Sequence, residues 1–151
     1  MDALTAITRD HERLTKLMRC LRDHEAEPVT VMAELRARLS AHTAAEEEQI
    51  YGTLLGMDAA EEYAVAHGIT EHRDVENRLA AAQAAVGTAG FDTLVAEFVD
   101  AVTLHIREEE SRILPDLARE VSDERLEHLG VLFEDRRRSE LDEAGFGYSA
   151  G

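Results

Sequence analysis

Apolar residues recur at offsets of three and four along most of this chain, the spacing that lines one face of an α-helix. The first stripe is Leu4, Ile7, His11, Leu14, Leu17 and Leu21, with a histidine set among the apolar positions. Pro28 stands near the start of a second helix whose stripe is Met32, Leu35, Leu39, His42, Glu46 and Ile50, before Gly52 and Gly56 interrupt it. A third helix from about Asp58 carries Val65, Ile69, His72, then Val75 or Glu76, Leu79 and Val86, and closes at Gly87 and Gly90. The fourth is predicted from a cap at Asp92 through Leu94, Phe98, Val102, His105, Glu109 and Ile113 to Pro115. A weaker fifth helix runs from Ser122 through Leu126, Leu129 and Phe133. From about Gly145 the residues are small and polar, suited to a loose tail or a lid.

Such stripes with short connections fold most simply as an all-α, up-down-up-down four-helix bundle, here with an extra C-terminal helix. The expected organisation is a bundle over residues 1–120, with the helix and tail of 121–151 in the same domain. One segment occurs twice, from His42 to Tyr51 and from His105 to Leu114, and each copy places a glutamate four residues after a histidine. On a helix that offset is about 40° around the axis and one turn along it, so Glu46 shares a face with His42 and Glu109 with His105. Ile50 then matches Ile113 and Leu54 matches Leu117, a weak internal twofold.

Composition excludes several classes of partner. The 32 acidic residues outnumber the 16 basic ones, giving a net charge of −16 that repels nucleic acid and anionic membrane surfaces. No apolar run is long enough to span a bilayer, and Met1-Asp2-Ala3-Leu4 lacks the basic and apolar regions of a secretory signal, so a cytoplasmic protein is expected. The lone Cys20 allows no internal disulfide, in keeping with a reducing compartment.

Taken singly, each stripe histidine is a hydrogen-bonded core residue, and each His-x-x-x-Glu is a helix-stabilising pair. Conjunction changes the reading. Four successive helices each carry one stripe histidine, and two carry a stripe carboxylate at a fixed offset. Burying His11, His42, His72, His105, Glu46 and Glu109 together calls for a shared compensating charge, and metal ions supply it. Imidazole and carboxylate donors without thiolates suit iron, manganese or zinc, with iron the leading choice. No glutamate precedes any histidine by three residues, which disfavours the Glu-x-x-His di-iron pattern, and no His-Glu-x-x-His is present. His24 and His128 fall outside the pattern and suit surface roles.

The order His, His-x-x-x-Glu, His, His-x-x-x-Glu over residues from about 3 to 118 resembles the hemerythrin-like (HHE cation-binding) family. The resemblance implies two iron ions with an oxo or hydroxo bridge inside the bundle. His11 and His42 would bind one iron, His72 and His105 the other, and Glu46 and Glu109 would bridge. Oxygen-carrying members have a further histidine one turn before the third-helix histidine, where this chain has Gly68. That vacancy is open to solvent or is filled from elsewhere. Tyr51 is a candidate ligand there, although an ideal helix sets it about 180° from His42 and plain packing also accounts for it. Glu76 and His67 are outside candidates. On this reading a histidine substituted at Gly68 is expected to restore the missing imidazole.

With fewer imidazoles the centre suits redox turnover better than reversible oxygen carriage. Resemblance to stand-alone bacterial members points to a di-iron oxidoreductase with catalase-like or nitric-oxide peroxidase activity. Its small ligands would be hydrogen peroxide, nitric oxide or dioxygen. The alternative is an oxygen, redox or iron sensing or binding protein without turnover.

Overall fold

A computed structural model describes residues 1–147; the expected tail beyond that point, residues 148–151, lies outside the described residues. Helix α1 spans Ala3–Arg22, with the Asp2 side chain accepting from the Thr5 amide as its N-cap. Helix α2 begins at Pro28, capped by Glu27, and runs to Ala45. It continues through a π-helical turn, Glu46–Tyr51, and a last α-helical turn, Gly52–Leu54. Helix α3 covers Ala59–Ala84 behind an Asp58 cap. Helix α4 covers Phe91–Glu108 and continues through a second π-helical turn, Glu109–Ile113, into Leu114–Glu120. Helix α5, Asp123–Glu143, starts from the Ser122 cap. The fourth helix therefore starts two residues earlier than a cap at Asp92 implies, with Gly90 at the N-cap position.

Two apolar clusters divide the interior, and the order in which each helix meets them gives the topology. Along α1 the chain passes from Ile7 in one cluster to Leu14 in the other, and along α2 it returns from Leu39 to Ala45. Along α3 it goes from Val65 to Val75, and along α4 from Val102 to Ile113. The direction alternates, so the four helices run up, down, up and down. Every histidine of the stripes falls where its helix crosses from one cluster to the other, and the polar centre is a layer between two apolar ends.

Not all stripe positions are equally deep. Leu4, Leu17, Ile69 and Leu94 are half-buried, and Val86 is exposed beyond the end of α3. Helix α5, the weaker helix in the sequence pattern, is long and packs into the bundle. Leu126, Leu129, Phe133 and Leu141 are all buried, and the helix lies along α1 and α2. Gly130 permits that approach: a Cβ there would run into the Met1 carbonyl oxygen and lie 2.7 Å from the Asp2 carbonyl carbon. No helix among the described residues is long and apolar enough to cross a membrane.

Candidate metal centre

The bundle brings together His11 from α1, His42 and Glu46 from α2, His72 from α3, and His105 and Glu109 from α4, each no more than 7% exposed. The ring nitrogens facing the middle are the Nε2 atoms. His42 Nε2 lies 2.8 Å from Glu46 Oε1, and His11 Nε2 lies 3.0 Å from Glu109 Oε1 and 3.8 Å from Glu46 Oε1. On the other side His72 Nε2 is 3.2 Å from Glu46 Oε2, and His105 Nε2 is 3.5 Å from Glu109 Oε2. Each glutamate thus turns one oxygen toward the His11–His42 pair and the other toward the His72–His105 pair. Two groups able to hold a cation result, His11, His42, Glu46 and Glu109, and Glu46, His72, His105 and Glu109, with both carboxylates common to the two.

The outward Nδ1 atoms are managed by a ring of carboxylates handed from helix to helix. Asp10 of α1 accepts from His42 at 2.7 Å, Glu47 at the end of α2 accepts from His72 at 2.8 Å, and Glu71 of α3 accepts from His105 at 3.0 Å. Glu110, just beyond α4, closes the ring 3.7 Å from His11 Nδ1. A carboxylate on Nδ1–H fixes the tautomer, leaving the Nε2 lone pair directed inward. Sequence reasoning missed all four of these residues. A signal was present, since each is the immediate neighbour of a stripe ligand on its own helix and serves the histidine of the next.

Fit to a metal ion can be tested on this geometry. His72 and His105 point their Nε2 atoms at each other across 3.1 Å while both Nδ1 atoms face carboxylates. Two lone pairs at that distance need a cation between them, a metal ion or, in its absence, a proton. His42 Nε2, both nitrogens of His11, both oxygens of Glu46 and Glu109 Oε1 are buried without a hydrogen bond. Donor atoms that are close together yet not aimed into hydrogen bonds suit points between them, and the donor set is one that borderline cations take. The residues fit the group.

Without a metal, protons do the compensating. Burial disfavours the His11 imidazolium, but the Glu109 and Glu46 carboxylates facing its Nε2 outweigh it and push its pKa up to about 9. At His72 burial is likewise overcome, by Glu46 and Glu47, again to about 9. His42 is raised well above its ordinary value, burial being outweighed by the Glu46 charge and the Asp10 bond. Burial would raise the Asp10 carboxyl, yet the His42 bond and the charges of His42 and Arg137 hold it below the usual range.

Tyr51 also reaches this polar layer. A π-helical turn takes in one more residue than an α-helical turn and so rotates the residues after it by roughly 100° about the axis. The turn beginning at Glu46 undoes the opposition expected between Tyr51 and His42 and carries the ring inside, where it is 1% exposed. Its hydroxyl donates to Glu109 Oε2 at 2.8 Å, and its ring stacks on His72 with 5.5 Å between centroids. Burial, then the negative charges of Glu109 and Glu46, raise the phenol pKa, so the group is a neutral donor here. The space at Gly68 is therefore neither open nor ready for an imidazole. The Tyr51 ring occupies it, and a Cβ at 68 would lie 2.7 Å from Oη and 3.0 Å from Cζ. The outside candidates do not reach this point: Glu76 pairs with Arg73, and His67 is half exposed beside Glu71 and Glu108.

Helix α5 closes the His11–His42 side. Phe133 meets the His42 ring edge-on at 5.5 Å, and Arg137 Nη1 lies 3.6 Å from Asp10. Two cavities approach the centre. One of about 320 Å³ reaches His105 and Glu109 from a rim that includes Tyr63, His67 and Glu108. The other, about 250 Å³, touches His11 and Glu110 and carries Lys16 and Arg19.

A family model described as the hemerythrin HHE cation-binding domain matches residues 2–117. Comparison with curated proteins gave no match, and neither did comparison with solved structures. The matched span contains every stripe histidine, both central glutamates and Tyr51, and leaves α5 outside.

Proposed function

The chain belongs to the hemerythrin HHE cation-binding domain family, and on that premise we propose that it is a non-haem di-iron oxidoreductase acting on hydrogen peroxide or nitric oxide. The observation that carries the nuclearity is the division of Glu46 and Glu109, one oxygen toward each histidine pair. His11 and His42 would hold one iron and His72 and His105 the other, with an oxo or hydroxo group completing the bridge. When bound, an iron pair supplies the two electrons that peroxide disproportionation takes up and returns.

The protein's own contribution is positioning and proton control. Asp10, Glu47 and Glu71 fix three imidazoles with their lone pairs inward and make them better donors. Tyr51 places a phenol oxygen on the His72–His105 side, where oxygen carriers have an imidazole. We assign it as the further protein ligand: the hydroxyl that donates to Glu109 Oε2 in the metal-free chain would give up its proton to solvent on metal binding, leaving both Glu109 oxygens to the metals. Anionic oxygen in place of a neutral imidazole favours the ferric state and works against reversible oxygen carriage. The cavity reaching His105 and Glu109 leads to the same side and is large enough for peroxide or nitric oxide. Leu14, Leu39 and Val102 are buried beside the polar layer and keep bulk water from it.

Oxygen evolution from peroxide by iron-loaded protein, compared with the iron-free chain and with Tyr51→Phe, tests this reading. Iron-dependent turnover that Tyr51→Phe changes supports it. Stoichiometric iron with spectral changes and no turnover on peroxide or nitric oxide would favour sensing or storage instead.

A further inference from the structure

We propose that His67, Glu71 and Glu108 form an outer divalent-cation site at the cavity mouth, from which metal passes to the inner centre. His67 Nε2 lies 3.6 Å from Glu71 Oε2 and 3.5 Å from Glu108 Oε2, so the imidazole edge faces both carboxylates. One donor atom from each residue falls within 4.8 Å of the others, the span of a single cation's ligands.

Position gives the site its role. All three residues line the cavity of about 320 Å³ that also reaches His105 and Glu109. Glu109 is 1% exposed and lies beyond the rim, with Oε2 turned toward His105 and Oε1 toward the His11–His42 pair. Glu71 joins the two places: one oxygen faces His67, while the other accepts from His105 Nδ1 at 3.0 Å. The cavity lining holds Glu71, Glu108, Glu109, His67 and His105 against a single basic residue, Arg112. That balance draws cations inward and disfavours anions. The ring of Tyr63 stacks on His67 with 2° between planes and steadies the outermost ligand. Hard carboxylate oxygens with one imidazole suit ferrous, manganous or zinc ions at modest affinity, as a transfer site requires.

The role in delivery rests on the inner residues holding metal, so the test separates the two places. Cobalt(II) is titrated into the metal-free full chain, its wild-type form, His67→Ala and Glu108→Gln being compared by bound metal per chain and by loading rate of the inner centre. Three ions per wild-type chain, falling to two in either variant with inner loading slowed about tenfold at low metal, is the expected result. Two ions per chain in all three proteins, loaded at one rate, would overturn the proposal and leave the inner centre standing. One ion in the wild type, lost in His67→Ala, would keep the outer site and defeat the inner one.

Discussion

The Tyr51 hydroxyl stands where the first atom of a side chain at Gly68 would be, 2.7 Å from a Cβ built there. Glycine at 68 and tyrosine at 51 are therefore one feature: a ring from the end of one helix takes the volume that a residue of the next gives up. Histidine substituted at Gly68 alone does not restore an imidazole, because its Cβ meets a fully buried ring stacked on His72. Gly68→Ala should destabilise the chain by about 1–3 kcal/mol as the ring is forced to shift. Removing the ring with Tyr51→Ala should relieve much of that cost in the double variant. A double-mutant cycle by urea unfolding measures the coupling, and simple additivity would contradict it.

Tyr51→Phe keeps the ring but removes its oxygen. If the phenol oxygen ligates ferric ion, the loaded wild type has a phenolate-to-iron visible band that the Phe variant lacks. Because the ring still fills the space at Gly68, the folded structure and its iron content should change little. An identical visible spectrum in the two proteins would leave Tyr51 a packing residue.

Asp10→Asn keeps the shape of the His42 partner and removes its charge. The imidazole becomes a poorer donor and Arg137 loses a buried counter-charge. Metal affinity should fall roughly 10- to 100-fold, the usual cost of an altered partner on a ligating histidine. Competition with a chelator reads this directly. Glu127→Gln, which changes only an exposed pair with the N-terminal amine, should leave it unchanged.

The metal-free chain should lose stability as pH rises above neutrality. His11 and His72 have folded pKa values of about 9 against an ordinary 6.5. The folded state therefore holds protons that the unfolded state releases. Their contribution is complete below about 6.5 and is lost as pH climbs through 9. Urea melts of metal-free protein between about pH 6 and 9.5 should show a falling midpoint, and metal loading near pH 7.5 should release protons into the solvent. A midpoint that rises across this range would contradict the assignment.

Phe133→Ala tests the fifth helix as a working part of the bundle. The ring is fully buried and lies edge-on to His42, so its loss should cost about 3–5 kcal/mol and loosen that imidazole. Thermal unfolding and chelator competition should both register the change.

Most of the helix order was legible because apolar spacing at three and four residues is a local property and the capping residues Asp58 and Ser122 announce themselves. The inward-facing histidines and glutamates were legible for the same reason, being charged residues on apolar stripes. The features that escaped sequence reading depend on neighbours in space or on departures from ideal geometry. Asp10, Glu47, Glu71 and Glu110 look like surface charge until each is seen against a histidine of another helix. Tyr51 was ambiguous because helical-wheel geometry assumes an unbroken α-helix, and the π-helical turn after Glu46 breaks that assumption. The depth of α5 was hidden in Gly130, whose missing side chain admits the N-terminal backbone.

Iron per folded chain after anaerobic loading tests the central claim most directly, because Glu46 and Glu109 divide their oxygens between two histidine pairs. With His67→Ala used to remove the outer site, two irons per chain is the expected value, falling sharply when Glu46 is replaced by alanine. A single iron, or none, bound by properly folded protein would contradict the paired centre.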